Sequence, residues 1–536
     1  MLRGFFVFVL AFLAFCAQAQ ELQPASGSNA FEQYDNMTVT TRKGIVYRYY
    51  TTFEGVNLYT LDLSTNKTSN GTHVKYRYTQ PFAGDEYLYE FRPVFNKKEN
   101  LLNFNLVARS YDDLSKEVST TPIGSIWADK NDAIVYSGYS PDSSLFYVYA
   151  LTYNEVNVYN HSLFVFNKGG ELLRKQVIKA KFKLPYYRVA STAISNKGQF
   201  VVAYVSENNR TATEATQRNY EVNFFDEDKE VYQRIYEVEA GPGIGFCKTG
   251  LKFLKNGNLL VSFLQRFTDF NGLKFDDTNF SFKEGAKDVS FIKADCISMK
   301  KFESVWGTET GKIFPLDYEL WNAEGGLIEG FQTPYLDNVD IMANGDICFS
   351  GDVYNSYLSI GNYRCNGIYH LFVTEKGEML NTWLTSRPIN KADYRGVFNY
   401  HTFVYGNDLY TIYNYPLPLL NLAKPSKVLK GLKHFALMVH KIDADGNSVV
   451  TNLTNDVPAG CYVKNIVPID ENKVLLGTVT FKVINGHPRM LTLPKTDLSA
   501  IKGRFSTTSV KREEPVVVSE PVKKESTNPR GRKVKR

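Results

Sequence analysis

Tight polar turns followed by alternating or continuous apolar strands recur along this chain and set its pattern. Arg42-Lys43-Gly44 precedes IVYRYY, Asn96 to Asn100 precedes LLNFNLVA, and Pro141 to Ser144 precedes LFYVYAL. Asn196-Lys197-Gly198 leads into QFVVAYV, Asn256-Gly257 into NLLVSFL and Asn344-Gly345 into DICFSG. Gly406-Asn407-Asp408 before LYTIYNY and Asp470-Glu471-Asn472 before KVLLGTV complete eight such units. Asn-Gly and related pairs accept the positive φ that hairpin turns require. A second strand–charged turn–strand type follows many of them, as in LFVFNKGGELL (163–173), NFFDEDKEVYQ (223–233), LFVTEKGEMLN (371–381) and VHKIDADGNSVV (439–450). LYTLDLSTNKT (58–68) is an N-terminal copy. No long helical periodicity interrupts the series.

Two successive hairpins make one four-stranded antiparallel sheet, which is the unit of a propeller blade. Over roughly residues 35–500 the pattern resembles β-propellers in general. It carries no WD series, kelch di-glycine series or Asp-box that would attach it to a named family. The resemblance implies an all-β ring of about seven blades, with six or eight as neighbouring counts. The terminal strand units suit closure by pairing the two ends of the chain in one blade. Tandem β-sandwiches are the competing architecture. The boundaries expected are a signal peptide over 1–19, a linker over 20–34, the propeller over 35–504 and a disordered basic tail over 505–536. Two stretches break the rhythm, 263–335 and 415–434. Long insertions in a compact fold are often functional, so these are the places to look for a binding surface.

Composition supports strands: 35 Tyr and 37 Phe bring the aromatic content to 14%, and aromatics suit pleated, half-buried surfaces. Arg3, the apolar run Phe5 to Phe15 and Ala17-Gln18-Ala19 have the order of a cleavable export signal, with Gln20 as the mature N-terminus. The apolar run falls short of the ~20 residues a spanning helix needs, and no other stretch is long and apolar enough. The chain therefore reads as exported, periplasmic or extracellular, with no transmembrane segment in its mature form. The signal ending in AQAQ has a bacterial look. Seven Asn-x-Ser/Thr sequons, at Asn36, Asn66, Asn70, Asn160, Asn209, Asn279 and Asn452, sit close to the roughly six expected by chance and do not mark a glycoprotein.

The net charge of +6 is localised: segment 505–536 holds nine basic and four acidic residues, and the body between signal and tail is neutral. The tail, low in aromatics and rich in Pro, Lys, Glu and Ser, reads as disordered and able to touch an anionic surface. It interleaves no aromatic for base stacking, so nucleic acid is not an expected partner. Beyond Cys16, five cysteines remain (Cys247, Cys296, Cys348, Cys365, Cys461), an odd number without C-x-x-C spacing. They read as buried thiols, with Cys348 and Cys365 as the one pair that neighbouring strands could bring together.

Candidate chemistry is thin, and no catalytic, cofactor-binding or metal residue is assigned. The seven histidines lack H-E-x-x-H spacing; His370 and His401, near strand ends of adjacent units, are the one pair placed to approach. Asp443-Ala444-Asp445-Gly446-Asn447 begins like a calcium loop but has Asn455 where the loop needs Glu, and reads as a hairpin turn. Gly241 to Gly245 opens onto no helix, and Gly138-Tyr139-Ser140-Pro141 lacks the closing Gly of a nucleophile elbow. Carboxylates cluster at Asp226-Glu227-Asp228, Asp276-Asp277, Asp337 with Asp340, and Asp346 with Asp352. A glycosidase or lyase needs two carboxyls across a cleft; most of these read as turn residues facing water. The reading that follows is a binding or scaffolding propeller for a protein or glycan, with an extracellular carbohydrate or ester hydrolase or lyase as the alternative.

Overall fold

The structure, a computed structural model, describes residues 37–497 apart from a set of connecting segments, the longest being 317–331 and 417–433. Its described residues form antiparallel strands and contain no helix. Eight consecutive sheets follow the chain. The first comprises Met37–Arg42, Ile45–Thr51 and Val56–Asp62, with Lys67–Thr68 and Thr72–Val74 both paired to the third strand. The second comprises Gln80–Ala83, Tyr87–Asn96, Leu101–Ser110 and Glu117–Trp127, and the third Ala133–Tyr139, Leu145–Tyr153, Tyr159–Asn167 and Leu172–Ile178. The fourth runs Tyr186–Ile194, Phe200–Glu207, Gln217–Asp226 and Lys229–Glu239. The fifth runs Thr249–Phe253, Leu259–Thr268, Asp288–Ile297 and Lys312–Leu316, with a hairpin of Leu273–Asp276 and Asn279–Phe282 between its second and third strands. The sixth has Gln332–Pro334 and Asn338–Ile341 along one edge, then Ile347–Ser356, Tyr363–Val373 and Met379–Asn390. Tyr400–Tyr405, Asp408–Pro416, His434–Ile442 and Ser448–Pro458 make the seventh; Cys461–Asp470, Lys473–Ile484 and His487–Asp497 make the eighth.

The first strands of the sheets are neighbours in series from the third sheet to the eighth, and Met37–Arg42 lies against Cys461–Asp470. Shared cores join the first sheet to the second and the second to the third. The sheets are thus blades around a central axis, and the chain is a β-propeller. Eight blades stand at the upper end of the range read from the turns. The physical reason is that the chain ends do not share a sheet: each builds its own, and the ring closes by one inner strand packing beside another.

From the second blade to the sixth, where the side chains are described, each sheet is apolar on both faces and buries them against its two neighbours. The core between blades two and three is largely phenylalanine, with Phe82, Phe91, Phe104, Phe146, Phe164 and Phe166 all buried. Their rings interlock, Phe82 on Phe146 at 4.2 Å and Phe104 on Phe164 at 4.9 Å between centroids. In Leu101–Ser110 the burial alternates over the first residues and becomes continuous nearer its end, as expected for a central strand covered on both faces. Equivalent cores join blades three to four, four to five and five to six.

Replacing Phe104, which is fully buried, with Ala is expected to cost about 3–5 kcal/mol through lost transfer energy and a residual cavity. Val118→Ala, at a site 45% exposed, should change stability by less than about 0.5 kcal/mol. Urea unfolding of both variants checks the pair, and equal losses would show that the core between blades is not where stability resides.

Candidate functional site

The two rims of the ring are built differently. Inner strands all begin at one rim, here the entry rim, where the connections between second and third strands also lie. Those connections include 208–216, 269–287 and 417–433. Both rhythm-breaking stretches therefore contribute to one rim: the hairpin Leu273–Asp276/Asn279–Phe282 and the segment 417–433 are second-to-third-strand connections. Much of 263–335 is also ordinary blade, since Asp288–Ile297 and Lys312–Leu316 are strands of the fifth sheet.

The opposite, turn rim carries seven of the eight tight turns seen in the sequence, Asn96 to Asn100 being a second-to-third-strand turn of blade two, and neighbouring blades are fastened together there. The Asp85 amide donates to the Lys168 carbonyl at 2.9 Å, and the Asp142 amide to Asn196 Oδ1 at 3.1 Å. Lys255 Nζ donates to the Ala343 carbonyl at 2.8 Å, and Trp306 Nε1 to the Glu375 carbonyl at 2.9 Å. Trp306 lies flat enough on Gly377 that a Cβ there would come within 2.6 Å of the ring, and Gly377 has φ +76°. Only glycine satisfies both demands. A rim occupied by such latches leaves the entry rim as the candidate binding face.

Polar groups gather at the entry end of two seams. Tyr186, Glu207 and Arg218 stand opposite one another across the first three strands of blade four, and Arg188 is two residues along from Tyr186 on the same face. Both guanidiniums converge on one oxygen: Arg218 Nε is 2.8 Å and Arg188 Nη2 is 3.7 Å from Glu207 Oε1. Tyr186 is 39% exposed, whereas Arg218 is 1% exposed. Arg218 Nη2 is buried with no hydrogen-bond partner.

The second group joins blades six and seven. Tyr400 donates to Asp337 Oδ2 at 3.0 Å, the Asp352 amide donates to the same oxygen at 3.1 Å, and Thr402 donates to Asp340 Oδ2 at 2.6 Å. Burial, with Asp337 and Asp352 nearby, pushes the Tyr400 phenol well above its ordinary range. Burial lowers the His401 pKa, and Asp340 opposes that shift. Tyr335, 37% exposed, stands two residues before Asp337.

Three histidines are structural pieces of the seams. His161 Nδ1 is hydrogen-bonded to the Tyr149 hydroxyl, which meets the Tyr204 hydroxyl at 2.7 Å. His370 contacts Ser350 Oγ at 2.8 Å through Nδ1 and Thr411 Oγ1 at 3.3 Å through Nε2. His440 Nδ1 contacts Thr385 Oγ1 at 2.5 Å, with its ring centroid 6.0 Å from that of His370. His370 thus meets His440 across the seam, and no ring contact or hydrogen bond joins it to His401 among the described residues.

The other expected pairs sort as follows. Asp352 partners Asp337 instead of Asp346, which lies in a turn with Asn344 Nδ2 at 2.8 Å. Cys348 pairs in register with Phe372, and Cys365 with Tyr354. Cys348 and Tyr354 are six residues apart, about 20 Å along the strand, too far for a disulfide between Cys348 and Cys365, and Cys348 is a buried free thiol. Asp443 accepts the Asn447 amide at 2.7 Å and closes a hairpin turn, with Gly446 at φ +79°. Gly241 to Gly245, Glu227, Asp228 and Asp277 lie outside the described residues. Among the described residues no group of three or more His, Cys, Asp or Glu is placed to hold a metal. Sequence reading passed over Tyr186, Arg188, Glu207 and Arg218, which carry no motif and meet only through strand register.

No family model and no curated protein matches the chain. Among solved structures it is similar to a PL25 polysaccharide lyase, an ulvan lyase bound to an oligosaccharide (11% identity, 89% of this chain and 98% of that one covered, TM-score 0.42). It is similar also to the dihydro-heme d1 dehydrogenase NirN (11%, 90% and 82%, 0.35) and to the β-propeller domain of the Trilobed protease from Pyrococcus furiosus (9%, 68% and 99%, 0.29). At these values the likenesses carry no inference about activity.

The buried histidines make stability depend on pH in a definite direction. Burial holds His161 and His440 down to about 4, against 6.5 unfolded, and His370 well below its ordinary value. Between these limits the unfolded chain takes up protons that the native ring refuses, so stability falls as pH drops from 6.5 toward 4 and is flat above 6.5 for these groups. The loss should approach about 3 kcal/mol for each of His161 and His440. Urea midpoints between pH 7.5 and 4.5 measure it, and His161→Gln should reduce the slope by about one proton. An unchanged slope would remove His161 from this account.

Proposed function

We propose that this chain is an exported binding propeller that holds a protein or glycan on its entry rim, and that it is not primarily a catalyst. The observation that supports this is the division of labour between the rims. Turn-rim groups are used up in inter-blade bonds such as Trp306 to Glu375 and Lys255 to Ala343. The entry rim gathers the long connections 269–287 and 417–433, with exposed Tyr186, Tyr335 and Ile134 on or beside the inner strands below them. Binding residues commonly sit on connections held by a rigid scaffold, and a phenol presents an apolar face and a polar tip to one ligand. Export is supported by the order of Arg3, Phe5 to Phe15 and Ala17-Gln18-Ala19. The hydrolase or lyase alternative would draw on Asp337 and Asp352, yet Asp337 is engaged by Tyr400 and by the Asp352 amide, as a structural brace would be.

Retention of the purified protein in gels carrying neutral or acidic polysaccharides tests the binding face. Tyr186→Ala and Tyr335→Ala are each expected to weaken retention at least fivefold, while Lys255→Ala on the turn rim leaves it unchanged. The opposite ranking would move the site to the other rim, and release of new reducing ends from any retained polymer would favour the enzyme. N-terminal sequencing of the exported protein should begin at Gln20; a start at Met1 or Cys16 refutes the cleavage.

A further inference from the structure

Blade six is covered differently on its two faces. Toward blade five its central strands offer Ile347, Phe349, Tyr369, Leu371 and Val373, which join one continuous apolar cluster. Toward blade seven the seam is interrupted by polar residues set between apolar ones. Strand alternation puts His370 between Ile368 and Phe372, Thr411 between Leu409 and Tyr413, and His440 between Met438 and Ile442. Among the described residues the apolar packing of this seam accordingly falls into two clusters. One gathers around Phe372, Trp383, Leu409 and Ile442, the other around Ile368, Tyr413 and Met438.

The belt between the clusters is held by hydroxyls. His370 and His440 are fully buried, with ring centroids 6.0 Å apart across the seam. Ser350 and Thr411 serve the first ring, and Thr385 serves Nδ1 of the second. His440 Nε2 and the Trp383 indole N–H are buried with no hydrogen-bond partner. The described titratable groups on or beside the same faces are Cys348, Asp337, Asp340 and Asp352 of blade six and Tyr400 and Tyr413 of blade seven. None of them bonds to either imidazole: Asp337 takes Tyr400, and Asp340 takes Thr402 and is the charge acting on His401. Burial and the facing His440 lower the His370 pKa well below its ordinary value, and burial lowers His440 to about 4. A proton on either ring would be a buried charge without a counter-ion, which a closed seam accommodates poorly.

We propose that the seam between blades six and seven is an acid-operated joint, which opens ahead of the other seams when its imidazoles take up protons. An opened seam returns each ring to water, so protons favour the open form. At pH 5 one histidine going back to its ordinary 6.5 shifts that balance about thirtyfold. The bonds from Tyr400 to Asp337 and from Thr402 to Asp340 cross the same seam, so its opening would also part the entry rim beside Tyr335. The joint does not depend on which rim holds the ligand.

Two buried free thiols report on the two faces of blade six: Cys348 lies in a cluster shared with blade seven and Cys296 in the cluster shared with blade five. Their modification by dithiodipyridine, followed by peptide mass spectrometry at pH 7.5 and pH 5, tests the joint. Each rate is divided by that of the same thiol in the urea-unfolded chain at the same pH. The corrected Cys348 rate should rise at least about tenfold at pH 5 while that of Cys296 stays level. The double variant His370→Gln/His440→Gln should lose the rise, and His161→Gln, in another seam, should keep it. Equal rises at both thiols would mark global unfolding and overturn the proposal. So would a Cys348 rate that ignores pH, or a rise that survives the double replacement.

Discussion

Blade-on-blade burial is the constraint from which everything else here follows. The described sheets from the second to the sixth are apolar on both faces, so none can satisfy itself, and stacking in one direction would leave two faces wet. Bending the stack into a ring removes both ends. Here the closing contact is made by the first and last inner strands, Met37–Arg42 and Cys461–Asp470, and not by a sheet that both chain ends build together. Closure therefore depends on packing between sheets, the same kind of contact that joins every other pair of blades. This makes the stability of the ring nearly a sum of neighbour terms with a closing one added.

That constraint also explains why one rim is latched and the other is free to vary. Radially packed sheets can slide along the axis unless something fixes their height. The turn-rim bonds do this: Asp85 to Lys168, Asp142 to Asn196, and Trp306 to Glu375 each tie a turn of one blade to a turn of the next. Once the height is set at one rim, the other can accept insertions without disturbing the register. The connections 269–287 and 417–433 lie where that tolerance exists.

The same asymmetry decides what was legible in the sequence. Turn-rim chemistry is local: Asn196-Lys197-Gly198 and Asn256-Gly257 place glycine at φ +83° and +82° within a few residues of the strands they join. Eight tight turns marked eight blades, seven on this rim and Asn96 to Asn100 on the other, and the count blurred where the chain ends were expected to share one. The hairpin inserted in blade five disguised its outer half as a long irregular stretch, because its third and fourth strands come so late in the chain. Seam chemistry is not local. Glu207 and Arg218 meet across neighbouring strands and Arg188 reaches them from a third, while His370 meets His440 from another blade. His401, the histidine nearer in sequence, has Asp340 as the charge that acts on it. Strand register and ring order decide such meetings, and neither is written in residue spacing.

The seams themselves combine an apolar core with polar groups at its ends. Between blades four and five the apolar core is bounded by two polar groups, one toward each rim. Asp295 is surrounded by donors and ends as a closed joint. Glu207 receives Arg218 Nε at 2.8 Å and Arg188 Nη2 at 3.7 Å, an ion-pair cluster at the end that faces the entry rim. With a body of nearly zero net charge, these ion pairs act locally and set up no long-range field.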